Sequence, residues 1–137
     1  MTNPISPAAI QGTMPTNVPS GYLDVAYGYP FSFSLTSNQL SLGNTLSIQT
    51  DADFMFRGLL FTSTGGFQIR LYDGQQYALS AGLINSLCMP NSAGDPYPYF
   101  PEVWYPAGGR ITIDIQDLSG AANSGQILFL GANRYKY

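Results

Sequence analysis

From Phe31 onward the hydrophobic residues recur with a period of two, and a period of two is the signature of half-buried β-strands. Phe31, Phe33 and Leu35 alternate with Ser32, Ser34 and Thr36, and Phe67, Ile69 and Leu71 alternate with Gln68, Arg70 and Tyr72. Ile111, Ile113 and Ile115, separated by Thr112 and Asp114, make the cleanest case, and Leu46 and Ile48 repeat it on a shorter scale. Asp53 to Thr64 is a longer apolar run with Gly58 in its middle, which reads as one strand bent at the glycine. Asp73-Gly74 is a hairpin turn signal, with Gln76 to Leu79 as the returning strand, and Gln126 to Leu130 forms the last strand. This spacing predicts an all-β, antiparallel β-sandwich, jelly-roll-like, with no internal repeat. Only Ser80 to Met89 suits a helix, a short one capped by Ser80 with Leu83, Ile84, Leu87 and Cys88 on one side.

Residues 1–30 follow a different pattern. They contain Pro4, Pro7, Pro15, Pro19 and Pro30, and proline supplies no backbone donor to a helix or a central strand. The stretch reads as an extended arm with turns at Pro19-Ser20-Gly21 and around Tyr27-Gly28-Tyr29, and residues 31–137 as a single sandwich domain. Ile5, Ile10, Val18, Tyr22, Leu23 and Val25 give the arm apolar side chains with which to dock on another surface.

Charge is scarce. The 137 residues carry five basic and eight acidic groups, for a net charge of −3, so 9% are charged where roughly a quarter is usual. Nucleic-acid binding needs clustered Lys and Arg, and these are few and scattered. No apolar run is long enough for a membrane-spanning helix. The N-terminus shows no basic start and apolar core of a secretory signal, and a single cysteine is compatible with synthesis in a reducing cytoplasm. With no histidine, the usual general base for a serine or cysteine nucleophile is missing. Zinc binding lacks its ligands, and the single cysteine, Cys88, reads as a small buried hydrophobe. The expectation is therefore a protein that is not an enzyme and takes no cofactor or metal. A glycosidase built on two carboxylates is a minor third reading.

The acidic residues have structural readings. Asp73 and Asp117 stand at turns, Asp51 and Asp53 suit loop and capping roles, and Asp114 is placed to pair with Arg57 or Arg70 on a neighbouring strand. Residues 90–108 read as a long loop. Within it Tyr97, Tyr99, Phe100, Trp104 and Tyr105 interleave with Pro96, Pro98, Pro101 and Pro106. Prolines stiffen such a loop, so its rings either close the end of the sandwich or serve as a protein interface, with a sugar site as the lesser alternative. Arg134 and Tyr135 belong to a basic tail, which is either a solvated terminus or a contact for an acidic surface.

The segment from Pro96 to Ile111, with Pro106-Ala107-Gly108-Gly109-Arg110 at its heart, resembles one found in small structural proteins of tailed bacteriophages. Ile113-Asp114-Ile115, Asp117 to Ala121, Gln126 to Gly131, Asp53-Phe54 with Arg57-Gly58, and Phe67 to Asp73 fit the same pattern, so the likeness spans about residues 50–135. What this resemblance implies is a capsid decoration, or cement, protein: a jelly-roll module outside the phage head that ties neighbouring capsomers together. It implies the major capsid protein as partner, a homo-oligomer (dimer or trimer), and a place in the virion, on the head surface rather than the tail. The alternative is a tail, neck or fibre-base module that binds a protein or a host glycan.

Overall fold

The computed structural model describes residues 18–89 and 96–137, with Phe100 described in its backbone only. Eight strands follow one another: β1 (Tyr22–Leu35), β2 (Leu40–Ser47), β3 (Asp53–Ser63), β4 (Phe67–Tyr72), β5 (Ile84–Asn85), β6 (Tyr97–Tyr105), β7 (Arg110–Asp117) and β8 (Asn123–Lys136). They form two antiparallel four-stranded sheets, a first in the order β1-β8-β3-β6 and a second in the order β2-β7-β4-β5. This is the jelly-roll-like sandwich that the alternation predicts.

Between the sheets, Phe54, Phe56, Phe129, Ile127 and Tyr105 of the first meet Phe67, Ile69, Leu71, Ile111, Ile113 and Ile115 of the second, all buried. Ring contacts join them across the gap: Phe33 to Phe67 at 5.2 Å and Phe61 to Phe67, edge to face, at 5.0 Å. Each such pair adds about 0.5–1.5 kcal/mol to its area burial. One end of the sandwich closes on a buried polar hub. The Asp117 carboxylate accepts from the backbone N–H of Asn38, Ser119 and Gly120 and from the Asn123 side chain. Asn123 in turn donates to the carbonyls of Gly65 and Gly66, so three loops share one hydrogen-bonded centre. The turn reading of Asp117 is therefore met, and extended.

Several sequence expectations need correction. The sandwich begins at Tyr22 rather than Phe31, because residues 22–30 pair in unbroken register with β8, from Tyr22 opposite Lys136 to Pro30 opposite Leu128. The predicted turn at Tyr27-Gly28-Tyr29 is thus strand. β1 is an edge strand, where alternate N–H groups have no ladder partner and a proline is tolerated. The turn at Pro19-Ser20-Gly21 is present, closed by Tyr22 N–H on the Pro19 carbonyl with Gly21 at a φ of 86°. Ile5 and Ile10 lie outside the described residues.

Residues 97–105 are strand β6, not loop. Tyr97, Val103 and Tyr105 face the core opposite Leu59, Phe56 and Phe54, and the register shifts between Phe56 and Gly58. Pro98 and Pro101 are accommodated because β6 is the other edge of the first sheet.

Ser80 to Met89 is not an α-helix. It holds the short β5 and a 3-10 turn, Ser86–Cys88, capped by the Asn85 side chain. In a 3-10 turn residues three apart eclipse one another. Ser86 and Met89 accordingly point inward, whereas Leu87 is 86% exposed and Cys88 lies on the surface rather than in the core. The returning strand after Asp73-Gly74 is likewise reduced to a single bridge, Tyr72 to Ala78, with Asp73 accepting from the Gln75 and Tyr77 N–H groups.

Candidate interaction surface

The two outer faces of the sandwich are made of different residues. On the second sheet, alternation puts Gln68, Arg70 and Tyr72 of β4 and Arg110, Thr112, Asp114 and Gln116 of β7 on the outside. Several of these groups bond to one another. Gln68 donates to Gln116 at 2.7 Å, Tyr72 donates its hydroxyl to Asp114 at 2.6 Å, and Arg70 pairs with Asp114 at 3.4 Å. Asp114 also accepts from the Gly43 N–H at 2.8 Å. Burial pushes the Asp114 carboxyl up, and the bonds from Tyr72, Gly43 and Arg70 outweigh it, leaving the carboxyl below its usual range. Of its two expected partners, Arg70 and Arg57, Asp114 takes Arg70.

The outside of the first sheet carries three apolar rows, the first separated from the other two by Arg57 and Glu102 and with its Met55 and Ala132 buried, at 6% and 2% exposure. Ala26, Ala132 and Met55 stand in line with Trp104 across all four strands. Gly28, Leu130, Gly58 and Pro98 form the next row, and Pro30, Leu128 and Leu60 the third. None of these residues belongs to the core cluster between the sheets. The Leu128 and Leu130 side chains lie over Gly28, where an added Cβ would meet them at 3.1 and 3.6 Å. Polar residues bound the patch on one side, in the row Ser32, Gln126 and Thr62.

A charge quartet with one member from each strand crosses this same face: Asp24 and Arg134 lie beyond the first row, and Arg57 and Glu102 lie between the first row and the second. Arg57 of β3 pairs with Asp24 of β1 and with Glu102 of β6 at 2.7 Å. Arg134 of β8 pairs with the same two carboxylates, at 2.8 and 3.2 Å. All four side chains are no more than 16% exposed, so the group is neutral as a whole and largely out of water. Burial raises the Asp24 pKa, and the two guanidiniums overcome that and hold it below the ordinary carboxylate range.

The expected interface residues separate on this frame. Trp104 is 45% exposed on the apolar face, its indole N–H donating to Asp53 at 3.0 Å. Tyr97 and Tyr99 pack inward against the core, and Tyr99 lies 4.6 Å from Phe56. Burial pushes the Tyr99 hydroxyl pKa up to about 12. Tyr105 is fully buried, with its hydroxyl donating to the Tyr72 carbonyl at 2.7 Å, so it is a core residue. Arg134 belongs to the quartet instead of a basic tail, and Tyr135 donates to Asp51 at 3.2 Å. Val18 is 41% exposed, and Tyr22 is half-buried opposite Lys136.

Leu60, Leu128, Leu130, Met55 and the quartet were not singled out by sequence reasoning. A signal for the leucines is present, however. Leu59-Leu60-Phe61 and Ile127-Leu128-Phe129-Leu130 are apolar without alternation, as in strands covered on both faces.

A groove of about 410 Å³ opens beside Trp104, between Pro101–Trp104 of β6 and the loop residues Asp73–Gln75 and Leu79. No helix among the described residues is long and apolar enough to cross a membrane. No protein-family model matches this chain, and no curated protein matches its sequence.

Proposed function

We propose that this protein is a virion structural protein, a capsid decoration or cement protein that lays the outer face of its first sheet on the shell of a phage head. The observation that carries this reading is the contrast between the two outer faces. A sheet turned to water pairs its outer side chains with each other and with solvent, as Gln68, Arg70, Tyr72, Asp114 and Gln116 of the second sheet do, although Leu40 opposite Gln116 is 47% exposed there. The first sheet instead presents Leu60, Leu128, Leu130, Pro30 and Pro98 together, with Ala26 and Trp104 level with the charge quartet, and apolar surface of that kind marks a contact site. The resemblance of residues 50–135 to small phage structural proteins supplies the shell as the partner. Capsomers built from the major capsid protein offer the repeated surface that a cement protein bridges.

Mixing the purified chain with undecorated heads and sedimenting the heads tests this. The wild-type chain co-sediments. A Leu60→Asp, Leu128→Asp variant, shown to be folded by circular dichroism, stays in the supernatant. Failure of the wild type to co-sediment with intact heads contradicts the reading.

A second reading, a tail or fibre-base module that binds a host glycan, is favoured by the groove beside the half-exposed Trp104. Specific glycan binding that Trp104→Ala abolishes would select it over the first.

A further inference from the structure

We propose that the groove beside Trp104 is a cation site, which takes a Lys or Arg side chain of the protein surface that the first sheet meets. The inference rests on the proposed shell-facing role for the identity of that surface, and not for the chemistry of the site. Trp104 is the only tryptophan of the chain, and it stands on the outer face at 45% exposure. Its ring is fixed at the nitrogen edge. The Asp53 carboxylate accepts from the indole N–H at 3.0 Å and from the Ala107 N–H at 2.8 Å, which ties the ring to the turn that follows β6. An indole whose N–H is bonded to a carboxylate has a more electron-rich ring, and its face attracts a cation more strongly.

The facing wall is the loop after β4. Gly74 packs so closely on the β6 edge that an added Cβ would stand 2.6 Å from Pro106 Cδ and 3.1 Å from the Trp104 carbonyl oxygen. The Asp73 N–H donates to the Tyr77 carbonyl at 2.8 Å, and Asp73 Oδ1 accepts from the Gln75 and Tyr77 N–H groups at 2.9 Å, so the wall is formed before any ligand arrives. Both of the latter bonds fall on Oδ1, which leaves Oδ2 open to a further donor. Charge decides the occupant. Asp73 and Glu102 line the groove, and among the described residues no Lys or Arg does. Glu102 is neutralised by Arg57 and Arg134, whereas no described Lys or Arg pairs with Asp73. An aromatic face, an uncompensated carboxylate and the apolar Leu79 and Pro101 suit the apolar stem and charged head of a basic side chain, and about 410 Å³ is room enough for one. Arginine fits best, since its planar guanidinium both stacks on indole and pairs with a carboxylate. A neutral sugar could stack on the same ring but would gain nothing from the charge.

Fluorescence titration of the full chain tests the proposal, because all tryptophan emission comes from Trp104. N-acetyl-arginine amide should change that emission saturably, and its neutral analogue, N-acetyl-citrulline amide, should bind at least about fivefold more weakly. Gln75 is exposed on the groove wall, so a charge placed there probes the site without touching the core. Gln75→Lys should weaken arginine-amide binding by at least about fivefold, and Gln75→Glu should strengthen it by about twofold. Gln75→Lys should also reduce co-sedimentation with heads. No saturable response, equal binding of the citrulline probe, a response to methyl glucoside alone, or indifference to the sign of the charge at Gln75 overturns the cation site. Head binding unchanged by Gln75→Lys overturns its place in the shell contact. A wild-type chain that binds arginine amide and ignores heads would defeat the shell-facing role and leave the chemistry of the site standing.

Discussion

On the second sheet the cross-strand neighbours are Gln68 and Gln116, and Arg70 and Asp114; on the first they are Leu60 and Leu128, and Met55 and Ala132. The strand geometry is the same and the chemistry of these pairs differs. Even the charges behave differently. The Arg70–Asp114 pair is a local contact with Arg70 about a third exposed, whereas the Asp24-Arg134-Arg57-Glu102 quartet joins every strand of its sheet at low exposure. A face that meets only water needs neither an apolar carpet nor a desolvated ion network. The proposed shell-facing role of the first sheet rests on this difference.

The largest effect that would break this contrast is on stability. Arg57→Met leaves Asp24 and Glu102 sharing the one remaining guanidinium in a poorly hydrated site, and should cost about 2–4 kcal/mol in urea unfolding. Arg70→Met on the second sheet, at a pair more open to water, should cost under about 1 kcal/mol. Equal losses would mean that the two charge sets have equal weight.

Acid comes next. Asp24, Asp114 and Asp117 all titrate below their ordinary range when folded. Above an unfolded carboxylate pKa of about 3.9 both states are ionised and the full stabilisation is present. As pH falls through the lower folded values, protonation of the native state removes it, so the urea midpoint drops below about pH 4. Asp117, held furthest down by the Ser119 hydroxyl and its other donors, should carry the largest share. Asp117→Asn should be less stable at pH 7 and show a shallower decline into acid.

The smallest effect sharpens the solvent assignment. Gln116→Ala removes the hydrogen bond to Gln68 and should cost about 0.2–1 kcal/mol, with head binding unchanged. Loss of head binding in that variant would put the contact on the second sheet.

The alternation in β1, β4 and β7 made the sandwich readable in the sequence, since Phe33, Ile69 and Ile113 each sit between polar neighbours. β6 escaped because its inward series, Tyr97, Tyr99, Val103 and Tyr105, is broken by the register shift opposite Arg57 and punctuated by prolines that an edge strand accepts. Tyr105 could not be told from Trp104 by composition. Adjacent strand residues face opposite ways, so one entered the core and the other the outer surface. The quartet was out of reach for another reason. Asp24, Arg57, Glu102 and Arg134 are scattered along the chain, and only the β1-β8-β3-β6 order brings them together. Leu60, Leu128 and Leu130 were visible as unbroken apolar runs, but such runs do not say which of their residues point out.

A reconstruction of the decorated head, with this chain traced in place, tests the difference between the faces most directly. The predicted result is Leu60, Leu128 and Trp104 of the first sheet against the shell, with Gln68, Arg70 and Thr112 of the second facing solvent. The second sheet seated on the shell, or the chain found only on the tail, would contradict it.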